Sequence, residues 1–313
     1  MDYYIYKLAF STAVHFGNGS LTDTNNQLMA DTIFSALCIE ASRSDIVSID
    51  ELVEYVENGE FLISDGMPYI NDRLYIPKPI MPNKVEIDGD YTTKKLFKKL
   101  KYIPLDKVKE YMKSEFDPAL ENSYLKGLGK TEVRQLANLM SGDEAEPYFV
   151  GTYKFFEGNG LYIIAGFKSK DIKNIFDKLL ECVSYEGIGG RRSAGLGKFK
   201  FSITPFSKDK LAVTVGCQST TYITLSISMA KNDEITDIVN DSVYSLIKRS
   251  GFIYSFTYGE EFRKKKDFYA FKSGSCFSKS FSGGVFNVSG YGKHKVYRYC
   301  KPLFLEVKWW EII

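Results

Sequence analysis

Residues 187–197, Gly187-Ile188-Gly189-Gly190-Arg191-Arg192-Ser193-Ala194-Gly195-Leu196-Gly197, stand between a stretch with helical periodicity and one that reads as a strand. Upstream, Ile172, Ile175, Phe176, Leu179, Leu180 and Val183 follow the i, i+3, i+4, i+7 spacing of an amphipathic helix running through Cys182, with Ser169 placed to cap it. Downstream, residues 198–203 predict a strand. Glycines allow left-handed backbone and close approach to a ligand, and guanidinium groups match phosphate oxygens two at a time. The segment therefore has the composition of an anion cradle, with backbone N–H groups turned inward. A flexible connector would account for the glycines but has no need of two embedded arginines. The polyanion we read for the cradle is RNA.

Working outward, Tyr3 to Phe10 alternates as a strand with a buried face. Ile33, Phe34, Leu37 and Ala41 then recur at helical spacing over about 30–43, with Asp31 at the helix start, where capping is its expected role. A second helix is predicted over 49–58, and short strands over 61–64 and 74–76, the latter stopped by Pro77 and Pro79. Residues 148–156 and 161–167 flank Glu157-Gly158-Asn159-Gly160, which reads as the turn of a hairpin. Strand, helix, strand, hairpin, helix, loop, strand is the order of a ferredoxin-like, RNA-recognition-type domain of the α+β class. It would occupy 1–206 and carry an insertion at about 80–147. The insertion centres on a basic, aromatic run in which Lys94, Lys95, Lys98 and Lys99 either contact RNA or form a solvated face over Leu96, Phe97 and Leu100. In 207–313 we expect strands at 222–229, 252–256, 268–271, 285–288, 296–299 and 303–309 around a helix at 235–249. That order suggests a degenerate copy of the first half, although no residue-level repeat is present.

Composition narrows the function classes. With 41 Lys and Arg against 39 Asp and Glu, the 313-residue chain has a net charge of +2, so affinity for nucleic acid has to come from local clustering. Aromatic residues make up 15%, enough for a strand-rich core with some left for base stacking. Five scattered cysteines, with no CxxC pair, argue against structural zinc or a disulfide framework. No cofactor and no metal are expected. The N-terminus lacks a signal-peptide pattern and no eighteen-residue apolar run occurs, so we expect a cytoplasmic protein without membrane contact. Neither GxxxxGKS nor GxGxxG follows a strand, and Glu260-Glu261 beside Arg263-Lys264-Lys265-Lys266 reads as a solvated charge cluster.

Several motifs in order resemble a known family. Lys7-Leu8-Ala9-Phe10, Val14-His15-Phe16-Gly17, Asp31-Thr32-Ile33-Phe34-Ser35-Ala36-Leu37, Leu74-Tyr75-Ile76-Pro77-Lys78-Pro79 and residues 189–197 look like the Csm4 subunits of type III-A CRISPR effector complexes, Cas5-like RAMP proteins. The likeness runs nearly end to end. It implies two ferredoxin-like domains with a thumb within 80–147, and a subunit that grips the 5′ handle of CRISPR RNA. The implied partners are the large polymerase-like subunit, the backbone subunit and, indirectly, target RNA. It places RNA contacts on the loop residues Gly189, Gly190, Arg191, Arg192, Ser193, Gly195 and Gly197, and Lys198, His15 and Lys78 are further RNA-binding candidates. Gly283-Gly284 is the second half's candidate glycine loop, but it has no adjacent arginine.

His15 raises the question of catalysis, because related RAMP nucleases cleave RNA without metal through a histidine acid or base. Cleavage would place His15 beside the scissile ribose with Arg191 or Lys78 stabilising the developing charge. The alternative, which we favour, is that His15 binds backbone or stacks on a base and that the chain is no enzyme. His294, in Gly292-Lys293-His294-Lys295, reads as a surface residue.

Overall fold

The computed structural model describes residues 1–17, 19–80, 91–113, 115–138, 146–215, 219–255, 258, 263–290 and 292–309. Cys217, Glu260-Glu261, Phe256 and, within the 80–147 insertion, residues 81–90, 114 and 139–145 lie outside these residues.

The strand Asn159–Phe167 is buried at every position, which explains its nearly unbroken apolar run. It is the centre of a seven-stranded antiparallel sheet ordered Phe199–Phe206, Asp2–Phe10, Asn159–Phe167, Met67–Ile70, Arg73–Pro77, Tyr102–Pro104, with Phe61–Ile63 also pairing the central strand. Side chains alternate across the pleat, so each strand feeds two cores. Tyr6, Leu8, Ile163 and Ala165 face the helices Ala30–Ala41 and Lys170–Glu186, meeting Phe34, Leu37, Phe176 and Leu179. Ile5, Tyr162 and Ile164 face the other way, into a core shared with Ile223, Leu225, Leu305 and Val307 of the second half. Those residues belong to a four-stranded sheet ordered Ala212–Thr214, Phe304–Trp309, Ser219–Thr224, Cys276–Phe277, antiparallel except for its first pair, with Leu225 directly after its third strand.

Three expectations are corrected. The strand Glu146–Phe155 does not pair with Asn159–Phe167; its partner over ten residues is Gly129–Asn138, a strand not expected from the sequence. The 157–160 turn does form, with the Asn159 N–H donating to the Phe156 carbonyl and Gly158 at φ +78°, but it is a corner between two sheets. Asn159–Phe167 is taken instead by Asp2–Phe10, which offers seven paired positions and an apolar surface on both faces. The expected helix at 235–249 stops after Ile235–Val239. Asp241 takes φ +55°, and Leu246–Arg249 becomes a strand against Phe268–Phe271 whose inward positions are Ile247 and Arg249. Pairing at a sheet edge overrides the helical stripe because it sends the Arg249 guanidinium to a buried carboxylate.

That carboxylate is Asp31, and it is no cap. The Ala30–Ala41 helix has Met29 at its N-cap without a side-chain bond, and the Ala30 N–H is satisfied by Asp65 Oδ1 at 2.8 Å. Asp31, 4% exposed, binds Arg249 at 2.9 Å through both oxygens and also pairs with buried Arg298. Burial alone would raise its pKa, but Arg249 and then Arg298 outweigh burial and hold the carboxyl below its ordinary value. Among the described residues no helix is long and apolar enough to cross a membrane.

Candidate nucleic-acid interface

The Lys170–Glu186 helix is capped as expected by Ser169, whose hydroxyl accepts from the Ile172 N–H at 3.3 Å. It ends at Gly187, φ +90°, where a Cβ would stand 2.4 Å from the Leu196 carbonyl, so the two stems of the loop touch through backbone. A backbone bond from Ile188 N–H to Gly197 O at 3.0 Å closes the loop, and bonds from Gly197 N–H to Ala13 O at 2.9 Å and from Gly190 N–H to His15 O at 2.9 Å anchor it to the segment after the first strand. Arg191 adopts the left-handed conformation at φ +59°, and a short 3-10 turn over Arg192–Ala194 closes at Gly195, φ +79°. The amides of Ala194, Gly195, Leu196 and Lys198 also donate within the protein. An amide-lined cradle is thereby narrowed: the loop's main capacity for an anion lies in its side chains.

Those side chains splay apart. Exposed Arg191 lies over the ring of Tyr148, from the Glu146–Phe155 strand, with its Cζ 4.9 Å from the centroid. Arg192 is half-buried over Tyr254, from the second half, at 5.0 Å. Arg43 approaches the same ring at 5.9 Å while pairing with Glu40 at 3.3 Å and Glu186 at 3.5 Å. Burial raises the Glu40 pKa against the pull of Arg43. Neither loop arginine has a carboxylate of the described residues within 4.0 Å, although Arg192 is near enough to Glu40 to favour its ionised form electrostatically. Ser193 and Lys198 are exposed beside them.

His15 is brought to the loop, but as a buried post. It is 7% exposed, and its Nδ1 donates to the Gly151 carbonyl at 2.7 Å. A carbonyl only accepts, so Nδ1 carries a proton in this bond. The ring fills space that glycines leave open: a Cβ at Gly190 would lie 2.6 Å from His15 Cδ2, and one at Gly17 would lie 3.3 Å from Nε2. Lys78 belongs elsewhere. Its ammonium donates to the Phe97 carbonyl at 2.6 Å, and burial followed by Lys272 lowers its pKa. Lys94, Lys95, Lys98 and Lys99 lie on the helix Tyr91–Lys99 and all four are exposed, with Leu96 and Phe97 partly buried and Leu100 buried after it. None of the four lysines has a carboxylate partner among the described residues. Gly283-Gly284 is packed, with Gly283 N–H held by Glu234. His294 is exposed, as expected.

Tyr148, Tyr254 and Arg43 were not found from the sequence. They lie 43 and 62 positions, and more than a hundred positions, from the arginine pair, and local spacing carries no signal of that proximity.

Comparison with known proteins places this geometry in a family. A family model described as the CRISPR Csm4 C-terminal domain matches residues 217–307. A CRISPR system Csm4 protein of Mycobacterium tuberculosis is 32% identical over 292 residues, 93% of either chain. The chain belongs to the Csm4 family. A Streptococcus thermophilus Csm4 is 30% identical over 98% of this chain and all of that one. In fold, the chain is similar to structures of a Csm3–Csm4 subcomplex of the type III-A CRISPR-Cas interference complex, at TM-score 0.63 and 18% identity over 97% and 99% of the two chains. It is also similar to a Csm1–Csm4 cassette in complex with cA4, at TM-score 0.58 and 18% identity over 99% and 100%. This Csm4 family member is thus a mixed α/β subunit of a type III CRISPR system.

Proposed function

We propose that this chain is a non-catalytic RNA-binding subunit of a type III-A complex, gripping the 5′ handle of CRISPR RNA through the 187–197 loop. The observation that carries the reading is the pair of arginines without ion-pair partners among the described residues, raised on a loop fixed to the main sheet. Guanidinium groups left unneutralised and presented rigidly are suited to backbone phosphates. Docking to a large polymerase-like subunit and to a backbone subunit is supported by the family relatives named with Csm1 and Csm3. The strand order, in which the first strand lies between the last and the central one under two helices, supports a ferredoxin-like first domain. The Tyr91–Lys99 helix and the Gly129–Asn138 strand then belong to the thumb, and 207–313 is the degenerate second copy.

The non-catalytic assignment is supported by His15. A ring buried against Gly190, with its proton held on Gly151, is a structural post rather than an acid or base open to a ribose. Two measurements test the proposal. Complexes carrying Arg191→Ala and Arg192→Ala should retain less CRISPR RNA, and the salt dependence should become shallower by about 0.7 in log–log slope for each phosphate no longer bound. Unchanged binding by the folded variant overturns the clamp. Incubation of the purified chain with repeat RNA in EDTA should give no specific product; cleavage that disappears in His15→Ala overturns the non-catalytic reading.

A further inference from the structure

We infer that Tyr254 is a positioning residue for RNA binding: its ring holds Arg192 in place, so that the second half of the chain builds part of a site whose loop belongs to the first. The inference rests on the RNA-binding reading given above and adds a residue to it. Four observations lead to it. Arg192 follows a left-handed residue and begins a single 3-10 turn, so its side chain diverges from that of Arg191 and reaches the second half. Its Cζ lies 5.0 Å from the Tyr254 centroid, within the range of a cation–π contact. Arg43, itself tied to Glu40 and Glu186, reaches the same ring at 5.9 Å, so the aromatic surface is shared between two cations from the first half. Finally, Arg192 Nη1 is buried without a hydrogen-bond partner among the described residues. Nη1 thus gains nothing from hydrogen bonding there, and what holds the guanidinium is the stacking contact together with the attraction of Glu40.

An arginine at a loop tip has several rotatable bonds, and freezing them on binding costs affinity. A ring that already holds the side chain near its bound position removes part of that cost. Tyr254 itself is 51% exposed, so changing it leaves the core intact.

The test is a double-mutant cycle on the full chain, read by binding of a fluorescein-labelled single-stranded CRISPR RNA. Tyr254→Leu should weaken binding about two- to fivefold, the loss expected for one exposed cation–π contact. Tyr254→Phe keeps the ring and should bind as the unmodified chain does. In an Arg192→Ala background, Tyr254→Leu should have no further effect, because nothing is left to position. An equal loss in both backgrounds means that Tyr254 acts on RNA directly or through the fold, and overturns the inference. Equal loss in Tyr254→Phe and Tyr254→Leu overturns it too, since the hydroxyl would then be responsible. If Arg192→Ala weakens binding while Tyr254→Leu does not, the inference fails and the RNA-binding reading stands. If Arg192→Ala and Arg191→Ala both leave binding unchanged, the reading itself fails.

Discussion

Gly195 and Gly197 share a φ of +79° but differ in surroundings, so they separate torsional cost from steric cost. A Cβ at Gly195 meets open space, whereas one at Gly197 would lie 2.1 Å from the Ile188 carbonyl. Gly195→Ala should therefore cost about 1–2 kcal/mol, the penalty of a left-handed alanine. Gly197→Ala should cost more, because backbone has to shift, and urea unfolding midpoints compare the two directly. Asp65 carries a different residue-scale prediction. Its Oδ1 accepts from the Ala30 N–H at 2.8 Å and the Ile227 N–H at 2.9 Å, and burial pushes its pKa up to about 6. A folded value above the unfolded value of about 3.9 means that its contribution is full below pH ~4 and is lost as pH rises through 6. Between pH ~7 and pH ~5 the chain should gain on the order of 1 kcal/mol from this group. Asp65→Asn keeps the accepting oxygen and removes the charge, so that gain should vanish; an unaltered pH slope would assign the titration to another residue.

Among the elements, the Ala30–Ala41 helix is fastened to the second half through one carboxylate. Asp31 holds Arg249 of the Leu246–Arg249 strand and Arg298 of the Tyr297–Cys300 strand, so three segments distant in sequence meet at a single charge. Removing it leaves a guanidinium that is 4% exposed without its counter-charge. Asp31→Asn should destabilise by about 3–5 kcal/mol, the usual cost of breaking a buried pair from one side, measurable by chemical denaturation. A loss under ~1 kcal/mol would mean that water or another acid replaces Asp31. Because Arg249 and Arg298 hold the Asp31 carboxyl down, its stabilising effect is present at neutral pH and is lost only as pH falls below the ordinary carboxylate range, the opposite direction from Asp65.

At the scale of the molecule, the two halves share a hydrophobic core. Ile5, Tyr162 and Ile164 of the first half share a core with Ile223, Leu225, Leu305 and Val307 of the second, so residues 207–313 expressed alone would expose one face of their sheet. The fragment should lack a cooperative thermal transition, while the whole chain unfolds in one; a sharp transition in the isolated fragment would refute this. The same organisation explains what the sequence disclosed. Local chemistry determined the Lys170–Glu186 helix and its Ser169 cap, the first strand and the position of the glycine loop, because periodicity, capping and charge act over a few residues. Only the tertiary structure decided that Glu146–Phe155 pairs with Gly129–Asn138, that Leu246–Arg249 leaves a helical stripe to form a strand, that Asp31 is an ion-pair centre and that Tyr148 and Tyr254 carry the two arginines. Strand pairing and buried charge depend on which surfaces remain once the long elements have packed, and that competition is settled by the whole chain rather than by neighbours in sequence.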